Sequence, residues 1–109
     1  MALYTQLAAG TITTTSAVAA TVPAGEVWVI HSVTLSQPAA GLAKEIAFKV
    51  NAAATLANAE FGASFAAGVQ RQTLYPGAGV PAGQTINVIC SADTGVCTYV
   101  INGFKQKTV

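Results

Sequence analysis

The chain has 109 residues, of which 52% are hydrophobic and only 8% are charged, and its net charge at neutral pH is +1. A soluble domain ordinarily carries roughly 25% charged residues, so this chain has too few charges to cover its own surface. The length suits a single domain over residues 1–109, with a hydrophobic core that needs no metal or disulfide framework.

Low charge leaves two explanations, a membrane protein or a surface that partners cover. A membrane-spanning helix needs about 20 consecutive apolar residues, and here polar residues, Gly or Pro interrupt the apolar runs every few positions. Residues 1–10 lack the basic start of a secretory signal and are expected to belong to the fold. Lys105 and Lys107 come nearest to a basic patch and are better interpreted as a solvated tail. The composition therefore excludes membranes and nucleic acid as expected partners and favours protein–protein contacts.

Runs rich in Val, Ile, Thr, Tyr and Phe, separated by Gly and Pro, predict short β-strands throughout the chain. In chain order the predicted strands cover residues 3–7, 11–22, 27–36, 45–51, 69–75, 85–91 and 96–104. Short strands at such intervals are typical of sandwiches and barrels. We expect an all-β fold, an antiparallel, jelly-roll-like β-sandwich of about eight strands.

The connections are predicted from Gly and Pro. Residues 23–25 form a turn, residues 37–44 form a loop, and Pro76-Gly77 ends the strand before it. The Ala-rich stretch 52–68 is predicted to be a loop with one short irregular element at residues 56–61. A turn at residues 92–95 is predicted to join the last two strands into a hairpin.

In the strand at residues 27–36, the apolar residues do not keep to one side of a regular two-residue alternation. Trp28 and Ile30 share one parity, whereas Val33 and Leu35 share the other, and a regular strand would place the two pairs on opposite faces. A β-bulge near His31-Ser32 would return all four side chains to the core. The alternative is a strand that is covered on both faces.

The segment VPAG occurs twice, at residues 22–25 and 80–83, and each copy leads into a predicted strand. One turn type used twice to start a core strand would explain the repeat, and in a sandwich the two copies would occupy comparable corners. Coincidence in a sequence rich in Ala and Gly is the alternative.

Cys90 and Cys97 are the only cysteines, and their spacing matches no zinc motif. They would face each other across the predicted final hairpin, where a disulfide is one option. Free, buried thiols are the favoured interpretation, and an intracellular assembly pathway would keep them reduced.

No residue set predicts catalysis, a cofactor or a metal, so we expect a protein that is not an enzyme. His31 is the only histidine and lacks the partners of a general base. Gly77 and Gly79 lie in no phosphate-binding context. Tyr75 and Arg71 are the one aromatic–basic pair outside the C-terminal stretch, and core packing explains Tyr75 equally well. The scattered carboxylates, too few to favour a glycosidase pair, are Glu26, Glu45, Glu60 and Asp93.

Several segments resemble small virion proteins of tailed bacteriophages. They are LYTQL at residues 3–7, VPAGEVWVIHSVTL at 22–35, VPAGQTI at 80–86 and YVINGF at 99–104. In that group a PaG-x-x-W-x-I strand comes early and a PaG-(D/Q)-x-I strand follows later, whereas residues 52–68 here depart from the group. The resemblance implies a virion structural role and supplies no catalytic residues.

We therefore expect a capsid decoration protein that forms homo-oligomers, often trimers in such proteins, and binds the major capsid protein or other virion proteins. It would be assembled in the host cytoplasm and located at the capsid surface. One alternative is a subunit of the tail or fibre that helps attachment to the host. Another is a carbohydrate-binding jelly-roll module, for which Trp28 would be the candidate platform, although its apolar run predicts a core position.

Overall fold

The computed structural model describes residues 3–92 and 97–108. Within these residues nine β-strands form two antiparallel sheets, and none of the residues lies in a helix long and apolar enough to cross a membrane. The strands are β1 (Leu3–Ile12), β2 (Ala17–Thr21), β3 (Glu26–Gln37), β4 (Lys44–Val50), β5 (Phe61–Phe65), β6 (Gln70–Leu74), β7 (Ala78–Val80), β8 (Thr85–Cys90) and β9 (Cys97–Lys107).

The strand order is that of a jelly roll. The first sheet has the order β1-β9-β3-β6, with β7 also paired to β3, and the second sheet has the order β2-β8-β4-β5. β6 pairs with residues 33–37 of β3 and β7 with residues 28–30, so they share one strand position that is interrupted at residues 75–77. Counted this way, the described strands fill eight positions. The predicted all-β, jelly-roll-like sandwich is confirmed.

The core lies between the two sheets and is filled by alternating side chains from both. Phe48 of the second sheet is fully buried, stacks on Phe61 with ring centroids 4.8 Å apart and meets the edge of Tyr99 from the first sheet. The other large and fully buried aliphatic residues are Ile12, Val22, Ile30, Val33, Leu35, Val80, Ile86, Val88 and Ile101.

The bulge predicted in the third strand is present. Ile30 pairs with Gly103 and Ser32 with Asn102, so His31 is the extra residue. Trp28, Ile30, Val33 and Leu35 are all at most 5% exposed, as that prediction requires. The alternative of a regular strand covered on both faces is therefore wrong.

The two VPAG segments are equivalent corners. Gly25 and Gly83 both have a φ of 80°, and in each copy the proline carbonyl accepts a hydrogen bond from the residue three positions on. The first copy carries the chain from the second sheet to the first, and the second copy carries it back. The amide of Gly83 donates to the carbonyl of Val22, which joins the two corners directly.

Three predicted elements at the start of the chain and in its middle were wrong. β1 does not end at residue 7 but continues to Ile12, because Gly10 leaves space for the ring of Tyr99. The strand predicted at residues 11–22 is reduced to β2, since Thr11 and Ile12 belong to β1. The Ala-rich loop contains β5, where Gly62 permits close approach to the carbonyl of Ile46.

The predicted final hairpin was also wrong. β8 pairs with β2 and β4 in the second sheet, whereas β9 pairs with β1 and β3 in the first. The chain therefore crosses from the second sheet to the first after β8. The sequence does not reveal this crossing, because two consecutive strands look the same whether they pair or lie in different sheets. Most of the turn predicted at residues 92–95 lies outside the described residues.

Candidate functional site

The outward side of the first sheet carries almost no charge. Arg71 is the one Lys, Arg, Asp or Glu side chain that the register places there among the described strands. Hydroxyl pairs across the strands occupy much of this face: Ser36 and Thr98 are 3.1 Å apart, and Thr34 and Thr73 are 3.4 Å apart. Such a face offers short, neutral side chains to a partner and little electrostatic repulsion.

At one end of this face lies an aromatic cluster formed by Tyr4, His31, Tyr75 and Phe104. The His31 ring meets the rings of Tyr4, Tyr75 and Phe104 edge to face, at centroid distances of 5.1, 5.8 and 6.2 Å. Tyr4 and Phe104 are 5.6 Å apart in the same geometry. Tyr4 is 53% exposed and Tyr75 is 70% exposed, so the cluster is open to solvent.

The strand register and the bulge assemble the aromatic cluster. Tyr4 of β1 is the direct cross-strand partner of Phe104 of β9. The bulge turns His31 outward, and its neighbour Ser32 lies within hydrogen-bonding distance of the Tyr4 hydroxyl, at 3.0 Å. Tyr75 follows β6 at the break in that strand position. These contacts hold the rings against one another in the free protein.

The sequence reasoning missed this cluster. The sequence shows no partner for His31, and core packing as an explanation of Tyr75 is wrong, because Tyr75 is 70% exposed. The available signal was the predicted bulge itself, since an extra residue in a core strand directs a side chain outward. The partners of that side chain come from β1, from β9 and from the residue after β6, and only the sheet order identifies them.

Trp28 is a core residue, as its apolar run predicted, and is not available as a sugar platform. It is 5% exposed, and its indole N–H donates to Glu26 at 2.9 Å. The Lys105 ammonium lies 4.9 Å from its ring centroid. Lys105 and Lys107 are exposed, as a solvated position requires, but they belong to β9 and not to a tail.

The second sheet carries a shallow groove of about 320 Å³ on its outward side. Ala47, Gly62 and Ser64 of β4 and β5 line it together with Leu56 from the preceding loop. Among the described residues, Glu45 is the one carboxylate that lines it. Of the other described carboxylates, Glu26 accepts the bond from Trp28 noted above and Glu60 forms an ion pair, so the groove shows no carboxylate pair.

The cysteines lie between the sheets as buried thiols, Cys90 on β8 and Cys97 on β9. Burial raises the pKa of the Cys97 thiol, an effect that Lys44 opposes and Cys90 reinforces. Among residues 3–92 and 97–108, no three His, Cys, Asp or Glu side chains are grouped as a metal site would require. Asp93 lies outside these ranges.

Within the part of the chain that the structure describes, the geometry thus gives one exposed surface of ordered rings, the aromatic cluster on a nearly uncharged sheet face. No family model matches the sequence, and no curated protein or solved structure is significantly similar to it.

Proposed function

We propose that this protein is a structural component of a bacteriophage virion, specifically a decoration protein that binds the capsid surface and its own copies. The observation that carries the proposal is the aromatic cluster at the end of a sheet face with a single described charge. Interface centres are depleted in charged residues and enriched in tyrosine, and both features occur here. The segments that resemble phage virion proteins support the same assignment.

In this role the protein acts by packing rather than by chemistry. Tyr4 and Tyr75 would insert into a complementary surface of the major capsid protein, while the small Ser and Thr side chains let the two backbones approach closely. Energetically important interface residues are enriched in Trp, Tyr and Arg, and a side chain held in place before binding loses less entropy on binding. The contacts of His31 and Ser32 hold Tyr4 in this way.

The test is binding to preformed capsids that lack this protein, measured by co-sedimentation over a range of concentrations. We expect saturable binding, weakened at least about tenfold by Tyr75→Ala, in the range of an interface hot spot. Val69→Ala is the matched control, because Val69 is 72% exposed and lies outside the cluster. Val69→Ala should change stability by less than about 0.5 kcal/mol, as for other surface positions, and Tyr75→Ala should cost no more than the about 0.5–1.5 kcal/mol of one aromatic pair.

Failure of the unaltered protein to bind capsids would remove the decoration role. Equal weakening by the two substitutions would show that the aromatic cluster is not the contact.

One observation favours a second candidate, a tail- or fibre-associated subunit that helps attachment to the host. A receptor-binding protein is expected to display exposed aromatic and polar anchors, and Tyr4, Tyr75 and His31 form such a set. Labelling of this protein in intact particles distinguishes the two, because microscopy would locate it on the head or on the tail. Binding of specific glycans on an array, lost in Tyr75→Ala, would favour attachment.

A further inference from the structure

The outer edge of β1 is open. β1 lies at the end of the first sheet and pairs with β9 on one side only. Among the described residues no backbone hydrogen bond reaches its other side. A ten-residue edge of this kind presents a row of N–H and C=O groups that another strand can satisfy.

β1 also has little of the protection that edge strands usually carry. Its sequence LYTQLAAGTI contains no charged residue and no proline. The opposite edge of the same sheet carries Arg71 and is broken at Pro76-Gly77, and the edge strands β2 and β5 of the second sheet have five residues each.

One protective feature is present on β1, a register shift between Gln6 and Ala8. Beyond it, residues 8–12 pair one to one with residues 97–101 and form a regular strand. Ala9 and Thr11 are exposed on the outward side and are small. This half of β1 therefore has the regular backbone and the low bulk that strand addition needs.

The occupant that this edge fits is a second copy of the same edge. A two-fold axis places β1 of one copy antiparallel to β1 of the other copy. The same sequence therefore forms both halves of the contact and must be compatible with itself. A charged edge would repel its own copy, and β1 carries no charge. Tyr4 lies on the same strand, so pairing would continue the outward face of one copy into that of the next.

We propose that two copies associate through antiparallel pairing of residues 8–12 of β1, which joins their first sheets into one continuous sheet. This dimer deepens the proposed function, because it names the self-contact of the decoration protein. It differs from the trimer that the sequence resemblance implied.

Light scattering after size exclusion tests the proposal on the intact chain. We expect a mass twice that of the 11.0 kDa chain. Thr11→Lys places two like charges close to the two-fold axis and should weaken the dimer at least tenfold. Thr73→Lys is the matched control, since Thr73 is also exposed on the outward side but lies on β6 at the opposite edge.

Ala9→Lys is a second edge variant that keeps the test decisive if Thr11→Lys does not fold. Circular dichroism and thermal melting identify folded variants, and hydrogen exchange should show amide protection of residues 8–12 that increases with protein concentration.

A monomer at every concentration, a trimeric mass, or a dimer that both edge variants leave intact would overturn the β1 pairing. Capsid binding is read separately. A monomer that still decorates capsids overturns only the dimer, and a dimer without capsid affinity overturns only the proposed function.

Discussion

At the scale of single residues, Trp28 illustrates how burial decides the role of a side chain. It is the only tryptophan in the chain and would be the natural candidate for a binding platform on an exposed strand. The inward phase of β3 instead places its ring in the core, with a hydrogen bond to Glu26 and the Lys105 ammonium over its face. Its contribution is therefore to stability.

Trp28→Ala is expected to lower the free energy of unfolding by about 3–5 kcal/mol, the range for a large aromatic residue removed from a core. Denaturant unfolding followed by circular dichroism measures the loss. Trp28→Phe keeps part of the ring volume and should lose less. A change under about 1 kcal/mol for the alanine variant would mean that the ring is not packed in the core.

Gly103 shows the opposite case, a residue needed because it has no side chain. A Cβ at this position would lie 2.0 Å from the carbonyl oxygen of Val29 and 3.0 Å from the amide nitrogen of His31. Both atoms are backbone, so no side chain can move aside. The bulge that turns His31 outward therefore depends on this glycine in the neighbouring strand.

Gly103→Ala is expected to cost about 3 kcal/mol or more, at or above the usual cost of overpacking, because β3 and β9 would have to separate. Gly79→Ala is the control, since nothing lies within 4 Å of a Cβ there and the position should tolerate alanine. Thermal and denaturant unfolding compare the two. Similar stability of both variants would contradict the close approach of β3 and β9.

At the scale of elements, the sequence predicted best where local signals agreed. The strand at residues 27–36 and its bulge were predicted within a residue of β3, because the core pattern and its phase change lie within one segment. β5 was missed because its residues, FGASF, alternate over only five positions inside a stretch rich in Ala and Gly, and pairing with β4 is what makes them a strand. β7 has three residues and likewise depends on pairing with β3.

The VPAG corners allow a prediction about backbone conformation alone. Gly83 has a positive φ and open space around its Cβ position, so Gly83→Ala is expected to cost about 1–2 kcal/mol from strain without any clash. Gly79→Ala, in equally open space without a positive φ, again serves as control. Denaturant unfolding of the two variants gives the difference in their free energies of unfolding. No loss of stability in Gly83→Ala would contradict the expected backbone strain at this corner.

At the scale of the whole molecule, burial between the sheets favours the neutral forms of two weak acids, Cys97 and Tyr99. Burial raises the pKa of Cys97 above its ordinary value of 9.0 and that of Tyr99 above 10.0. The Lys44 charge lowers the pKa of Cys97 and so opposes the effect of burial, whereas Cys90 raises it further. Both residues are on β9, and both point between the sheets.

Stability is therefore expected to fall at high pH. Above pH 9.0 the unfolded chain loses the Cys97 proton while the folded chain keeps it, so the stabilisation that is complete below pH 9.0 is lost as pH rises toward the folded pKa. Tyr99 adds to the decline above pH 10.0. Melting temperatures between pH 8 and 11 measure the slope, which Cys97→Ala should make shallower, and identical slopes in the two proteins would contradict it.

The sequence by itself determined the fold class, the phase of the core strand, the corner turns and the scarcity of charge, because composition, alternation and Gly–Pro signals act within a few residues. The tertiary structure decided which strands are neighbours. It separated β8 from β9, placed β1 at an open edge, and gathered Tyr4, His31, Tyr75 and Phe104 from distant segments. The physical reason is that strand pairing satisfies backbone groups far apart in the chain, and a single sequence does not record the choice among such partners.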